Sequence, residues 1–323
     1  MSWMYYRHYH TGAIRISGKD RVALLQALST NDLSRLAPDQ AVITVLTNAA
    51  GRILDVLIVL EDDDALLALT LPARAETTLQ YLQAQLNDQS GTVPLAAFRK
   101  ASPRYDVTLR DESRLWDQAW LLPGEGTPPA GLEAPRHAGY AQRFPNGSAA
   151  ISLPRILGGG LLLLNPKGVT VMMITRTRLL SNEAYLAERI RRGIPDAETE
   201  LTAEFSPFEV GLGEFVDLSK TDFPGRTMLA HEARHPNRGR TLVGLQLDAP
   251  IQMPATIRAG HAQVGRVTSA TNDPKVGAIA LGIVRRPHHI PGTRVSLHYY
   301  ADGTQETETR ATIADFPLKE ETA

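Results

Sequence analysis

The segment spanning residues 42–60 constrains the fold more than any other in the chain. Two apolar runs rich in β-branched residues, 42–47 and 53–60, are separated only by Asn48-Ala49-Ala50-Gly51-Arg52. Five residues with an asparagine at their start and a glycine near their end allow a tight reversal, so the runs pair antiparallel. The surroundings extend this hairpin into a domain. Residues 13–17 alternate apolar and polar side chains, as a strand does, and Gly18-Lys19-Asp20 form a turn. Val22, Leu24, Leu25 and Leu28 then recur at helical spacing over residues 21–28, with Asp20 placed to cap that helix. Residues 31–40 are a turn-rich connection. A third strand over 65–71 follows the acidic tip 61–64, and a helix over 75–86 carries Leu79, Leu82 and Leu86 on one face. The β-α-β-β-β-α order predicts an α+β domain with an antiparallel sheet, assigned to residues 1–92.

The second part, residues 93–236, is strand-like in places up to residue 122 and then crosses a Pro/Gly-rich loop at 123–131. Strands are expected at 149–153 and 161–164, around Gly158-Gly159-Gly160. Ser181 caps a helix that runs to Arg192 with Leu186 and Ile190 inward, and Gly193 and Pro195 end it. From residue 237 the pattern changes to short strands at 241–247, 256–258, 263–269, 278–284 and 294–300. Their spacing predicts a small β-barrel or sandwich over residues 237–323.

Composition narrows the function classes. Lys+Arg 34 against Asp+Glu 35 leaves a formal net charge of −1, which gives no global electrostatic case for nucleic acid or an anionic membrane. Cys is 0, so disulfides, a thiol nucleophile and thiolate metal ligands are excluded. The apolar stretches at 161–164 and 169–174 are too short to span a bilayer, and residues 1–10 lack an apolar core behind a basic start. The expected location is cytoplasmic.

Several segments, in order, resemble one family. Ile16-Ser17-Gly18-Lys19-Asp20 through Thr30-Asn31-Asp32-Leu33 is similar to a strand, G-x-D, helix, T-N-D opening. Thr47-Asn48-Ala49-Ala50-Gly51-Arg52-Ile53-Leu54-Asp55 resembles an N-x-x-G-[GR]-I-x-D hairpin. Ser206-Pro207-Phe208-Glu209-Val210-Gly211-Leu212 is similar to T-P-x-E-A-G-L, and Lys220-Thr221-Asp222-Phe223-Pro224-Gly225-Arg226 to K-x-D-F-I-G-R. Gly265-Arg266-Val267-Thr268-Ser269 resembles the G-x-V-T-S strand of a C-terminal barrel. All of these are patterns of the glycine-cleavage aminomethyltransferase family. Arg191-Arg192-Gly193-Ile194-Pro195 is similar instead to the helix end of the YgfZ-type iron–sulfur assembly branch.

The resemblance implies two α+β domains with antiparallel sheets and a small C-terminal β-barrel, arranged as a three-domain ring around a folate pocket. It implies tetrahydrofolate, or a one-carbon-substituted or polyglutamylated form, as the ligand. A carrier or client protein is a further partner it allows. Folate asks for polar groups around its pterin, apolar walls around its aminobenzoyl ring and a cation at its glutamate tail. The matching positions are Asn48, Asp55, Arg189, Lys220, Asp222, Phe223, Gly225 and Arg226. One-carbon transfer adds a carboxylate near the reacting nitrogen, and Asp55 is the candidate for that catalytic role. Four of these positions have a plainer reading beside the folate one. Asp55 could face solvent or cap a turn, and Arg189 could oppose its helix dipole. Gly225 could be an ordinary turn glycine, and Asp222 could cap the helix that begins near Arg226.

Departures from the family pattern set two functions side by side. Val56 stands where the hairpin often carries a second acid, and residues 157–164 hold no Y-T-G-E segment. Asp222 replaces the reactive cysteine of the YgfZ branch. The leading expectation is a tetrahydrofolate-binding protein with folate-dependent aminomethyl or methyl transfer. The alternative is a non-enzymatic folate-binding accessory factor for iron–sulfur protein assembly or repair.

His231-Glu232-Ala233-Arg234-His235 matches the H-E-x-x-H zinc pattern, but Pro236 follows at once and no nearby glutamate offers a third ligand, so no metal role is assigned. The triple glycine has no following Lys-Ser/Thr, and His288-His289 has no clustered partners. The acidic tip 61–64 reads as a solvated turn.

Overall fold

A computed structural model of the protein describes residues 3–87, 105–169 and 177–319. The chain divides into two compact units. Unit 1 comprises Met1–Leu179, Leu201–Pro207 and Gly213–Ala230, and unit 2 comprises Leu180–Glu200, Phe208–Leu212 and His231–Ala323.

Unit 1 opens with β1 (Met4–Arg7), β2 (Gly12–Ser17), α1 (Arg21–Leu28), β3 (Val42–Thr47), β4 (Ile53–Asp62), β5 (Ala65–Thr70) and α2 (Ala75–Asn87). After β6 (Thr108–Asp111) come β7 (Trp116–Leu122), β8 (Ala141–Arg143), β9 (Ala149–Ser152), β10 (Leu161–Pro166) and β11 (Arg178–Leu179). These strands form two sheets, a five-stranded one ordered β3-β4-β5-β2-β6 and a six-stranded one ordered β11-β1-β7-β10-β9-β8. The five-stranded sheet is antiparallel throughout. Every residue of β3 and β5 is buried, which explains why both read as continuous apolar runs rather than as alternating ones.

Helix α1 lays Leu24, Leu25 and Leu28 against Ile14, Ile16 and Leu57, all without exposed surface. Burying each such side chain contributes about 1.5–3 kcal/mol. The expected Asp20 cap does not form. Its carboxylate accepts instead from the Asp106 N–H at 2.8 Å, tying the helix entry to the approach to β6.

Three strands of unit 1, β1, β8 and β11, escaped the sequence reading. β1 lies in the six-stranded sheet, antiparallel to β7 and parallel to β11, so the first described residues do not belong to the sheet that follows them. Part of the strand-like stretch at 93–122 and most of the run at 169–174 lie outside the described residues; within the former, β6 and β7 form. Gly160 shows why glycine is needed in the Gly158-Gly159-Gly160 run, since a Cβ there would sit 2.0 Å from the Leu121 carbonyl oxygen.

Unit 2 holds α3 (Asn182–Arg192) and the strands β12 (Arg240–Leu247), β13 (Ala255–Ala259), β14 (Ala262–Asp273), β15 (Gly277–Arg285), β16 (Arg294–Ala301) and β17 (Gln305–Ala314). They close into a six-stranded barrel ordered β12-β15-β14-β13-β16-β17, with β12 also paired to β17. Leu245, Ile257, Val284 and Leu297 fill its interior without exposed surface. The sixth strand, β17, was missed because its outward side carries Glu306, Glu308 and Arg310, so its first half reads as a charged loop. α3 behaves as expected at both ends. The Ser181 hydroxyl accepts from the Ala184 N–H at 3.2 Å, and Gly193 closes the helix with φ +77°. Among the described residues no helix is long and apolar enough to cross a membrane. A further helix, α4 (Arg226–Ala233), follows the Lys220–Arg226 loop.

Candidate functional site

The hairpin and the Lys220–Arg226 loop meet in unit 1. Asn48 builds the turn: its side-chain oxygen accepts from the Ala50 and Arg52 N–H groups at 2.9 and 3.0 Å, and Gly51 follows with φ +72°. The Thr47 hydroxyl then donates to the Pro224 carbonyl. At Gly225, φ is +86°, and an added Cβ would lie 2.5 Å from the Asn48 carbonyl oxygen and 2.7 Å from the Gly51 Cα. The glycine therefore serves a left-handed backbone and a backbone-to-backbone approach at once.

The loop is pinned by its two basic residues. The buried Lys220 ammonium donates to the carbonyls of Ser29 and of Asn31, the latter at 2.9 Å. It thereby satisfies carbonyls that the end of α1 and the Thr30-Asn31-Asp32 turn leave unpaired. Burial pushes Lys220 down to about 8, against the opposing pull of Asp32 and Asp217. Its ammonium also lies 5.5 Å from the centre of the buried Phe223 ring. Arg226 donates from Nε to the Lys220 carbonyl and from a terminal nitrogen to that of Leu218, both at 2.7 Å.

Asp222 does not cap α4. One carboxylate oxygen accepts from the Phe223 N–H at 2.7 Å, and the other has no hydrogen-bond partner among the described residues. Asp222 is half-buried on this loop, two residues before the contact between Pro224 and Thr47.

Asp55 neither faces solvent nor caps a turn. It has no exposed surface, and three donors converge on it: the Val56 N–H at 2.8 Å, the Leu71 N–H at 3.1 Å and the Thr78 hydroxyl at 2.6 Å. Desolvation pushes its pKa up to about 7 despite these bonds, which favour the charged form. Asp55 lies opposite Leu46 in the regular register of β3 and β4, and the register shifts only beyond it, where Thr47 pairs with Ile53.

Arg189 lies in unit 2 inside a buried polar network. It donates to the Ser269 hydroxyl at 2.7 Å and pairs with Glu200 at 3.4 Å, and Glu200 has no exposed surface. Ser269 donates to Glu200 at 2.8 Å, and Thr199 adds a 2.6 Å bond to the same carboxylate. The dipole reading of Arg189 is thus replaced by an internal ion pair with Glu200, while its hydrogen bond to Ser269 joins α3 to β14. Nothing in the sequence singled out Glu200 or Thr78 as partners, because neither lies within a recurring motif.

His231 and His235 stack with ring centres 4.5 Å apart, and His235 Nδ1 faces the His231 carbonyl at 2.8 Å. Among the described residues no group of three or more His, Asp or Glu is placed to hold a metal ion.

An antiparallel α+β unit whose hairpin tip interlocks with a distant glycine loop, together with a closed six-stranded barrel, defines an aminomethyltransferase-type fold. Residues 7–108 match the GCVT N-terminal domain, and residues 240–318 match the glycine cleavage T-protein C-terminal barrel domain. The chain is 30% identical over 351 residues to the aminomethyltransferase of Prochlorococcus marinus, a match covering 90% of this chain and 85% of that protein. A shorter match, 38% over 109 residues, joins 33% of the chain to 30% of the dimethylsulfoniopropionate demethylase of Ruegeria pomeroyi. The crystal structure of the glycine cleavage system aminomethyltransferase T from Bartonella henselae superposes with a TM-score of 0.74 at 17% identity, covering 99% of this chain and 87% of that one. The chain belongs to the glycine-cleavage aminomethyltransferase family.

Proposed function

We propose that this chain binds tetrahydrofolate through the hairpin and the Lys220–Arg226 loop and takes part in folate-dependent one-carbon transfer. The observation that carries this reading is Asp222. Of the polar side chains singled out on this loop and hairpin, Lys220, Arg226 and Asn48 are bonded to backbone, whereas Asp222 keeps an acceptor oxygen. A half-buried carboxylate of this kind suits the amine and ring N–H donors of a pterin. Bound tetrahydrofolate would supply the nitrogens that carry the one-carbon unit. The chain's own part is to recognise the ring and fix its orientation.

Asp55 enters this proposal as a positioning residue. Its buried carboxylate ties β4 to the end of β5 and to α2 and so fixes the strand that leads out of the hairpin. Its lack of exposed surface also favours a second reading, binding without transfer, as in an accessory factor. The similarity to named transferases supports the first reading, and the residues that line the hairpin are compatible with both.

Titration with tetrahydrofolate, followed by tryptophan fluorescence, tests the binding. The expected result is saturation, with Asp222→Ala weakening the affinity about tenfold, the equivalent of about 1.4 kcal/mol, at an unchanged urea midpoint. Absence of saturation at high micromolar ligand would overturn the proposal. Following a ¹³C-labelled one-carbon unit from a methylated or aminomethylated donor to tetrahydrofolate then separates the two readings. Label transfer supports catalysis, and saturable binding without it supports the accessory role.

A further inference from the structure

The outer face of the barrel carries a cluster of charge that the folate reading does not use. Strands β13, β16 and β17 lie side by side there. Their register sets Arg258 opposite Ser296 and Ser296 opposite Arg310, so an arginine flanks the serine on each side. In β16 and β17, Val295, Leu297, Thr309 and Ala311 are buried and alternate with these positions, so Ser296 and Arg310 lie on the outward side; Arg258 follows the buried Ile257 in β13. Two strand spacings put the Cα atoms of the arginines about 10 Å apart, within reach of one anion between them. Neither guanidinium has an ion-pair or hydrogen-bond partner among the described residues. Arg294, two residues before Ser296 on the same face, adds a third positive charge and makes only a 3.5 Å contact to Asp248.

The arginines border a cleft of about 770 Å³ that also reaches His261 and His298. A second cleft of about 410 Å³ shares Arg258 and His298 with it and continues to Tyr300 and Pro254. Tyr300 is 60% exposed and Met253 beside Pro254 is 45% exposed, so this end offers a planar organic group an apolar face. Between the two ends, His298 Nε2 lies 3.0 Å from the Ser296 hydroxyl, with Glu306 and Glu308 at 3.5 and 3.9 Å from the ring. A ring N–H at Nε2 would donate to the serine oxygen and leave the hydroxyl proton to point into the cleft.

We propose that this face is a binding site for a phosphate monoester of a planar organic group, with the phosphate between Arg258 and Arg310 on the Ser296 hydroxyl. A dianionic phosphate offers several acceptor oxygens to two forked guanidiniums, which a single carboxylate fills less completely. Two unpaired arginines that flank the same serine repel one another until such an anion lies between them. The organic group lies towards Tyr300. The site rests on unit 2 alone and stands apart from the folate proposal.

Calorimetric titration of the full chain with adenosine monophosphate, inorganic phosphate, adenosine and glutarate tests this site at low and moderate salt. Saturable binding of the monophosphate is expected, with weaker binding of phosphate and none of adenosine or glutarate. Arg258→Gln and Arg310→Gln should each weaken it about tenfold, the loss of one charge-assisted partner, while Arg114→Gln, an exposed arginine of unit 1, should not. Because all three are surface changes, an unchanged urea midpoint will confirm that the variants fold. The proposal is overturned if the monophosphate does not saturate, if adenosine or glutarate binds as tightly, or if the Arg258→Gln/Arg310→Gln double variant binds like the parent.

Discussion

The Thr78 hydroxyl donates to Asp55 at 2.6 Å and joins the first turn of α2 to β4 through a fully buried contact. The hydroxyl suits either charge state of its partner, since it donates to a carboxylate and can accept from a carboxylic acid. Removing the acid leaves three buried donors unsatisfied. Asp55→Ala is therefore expected to cost about 2–4 kcal/mol in urea unfolding, and Thr78→Val about 1–2 kcal/mol.

Asp55 also gives stability a pH dependence. Its folded pKa of about 7 lies above the unfolded value of 3.8, so between these values the native state holds a proton that the unfolded chain has released. Stability contributed here falls as pH rises through that window and is fully present below it. Urea midpoints of the wild type and Asp55→Asn, measured from pH 4 to 7.5, should converge as pH rises. Parallel profiles would count against the buried acid.

Lys220 acts in a different window and with the opposite slope. Its folded pKa of about 8 lies below the unfolded 10.5, so between them the unfolded state binds the extra proton and stability rises with pH. The difference between wild type and Lys220→Met is expected to change between pH 8 and 10.5 and to be flat from pH 6 to 7.

Gly225→Ala combines a left-handed φ with a Cβ 2.5 Å from the Asn48 carbonyl oxygen. The strain alone costs about 1–2 kcal/mol, and the displaced hairpin adds to it. A lowered melting temperature together with weaker tetrahydrofolate binding is the expected outcome. Normal folate binding at full stability would show that the interlock is dispensable.

For Arg189, stability and affinity separate two roles. Breaking a buried ion pair costs about 3–5 kcal/mol, so Arg189→Met should destabilise strongly, and Glu200→Gln should do so in the same direction. A variant with intact stability and lost folate affinity would instead make Arg189 a ligand contact.

Much of the fold was legible because the sequence patterns were local. The hairpin from β3 to β4 followed from five loop residues, and the ends of α3 from Ser181 and Gly193. What stayed hidden depended on partners far along the chain. Asp20 looked like a cap until the Asp106 N–H claimed its carboxylate, and β17 looked like a loop because its barrel-facing residues include Thr307 and Thr309. In the site, the family resemblance pointed to Lys220, Asp222 and Gly225, but their partners could not be read. No spacing rule connects Lys220 to Ser29 or Asp55 to Thr78.

Unit 1 is assembled from three separate stretches of chain, interrupted by residues 180–200 and 208–212 of unit 2. The loop that grips the hairpin tip is translated about 170 residues after the hairpin itself. On the ribosome the turn at Asn48 must therefore wait for its clasp, with the tip held only by its own bonds in the meantime. No single cut in the gene yields either unit whole. A chimera between family members that kept this turn intact would have to exchange residues 42–62 and 213–230 together, as one cassette in two pieces.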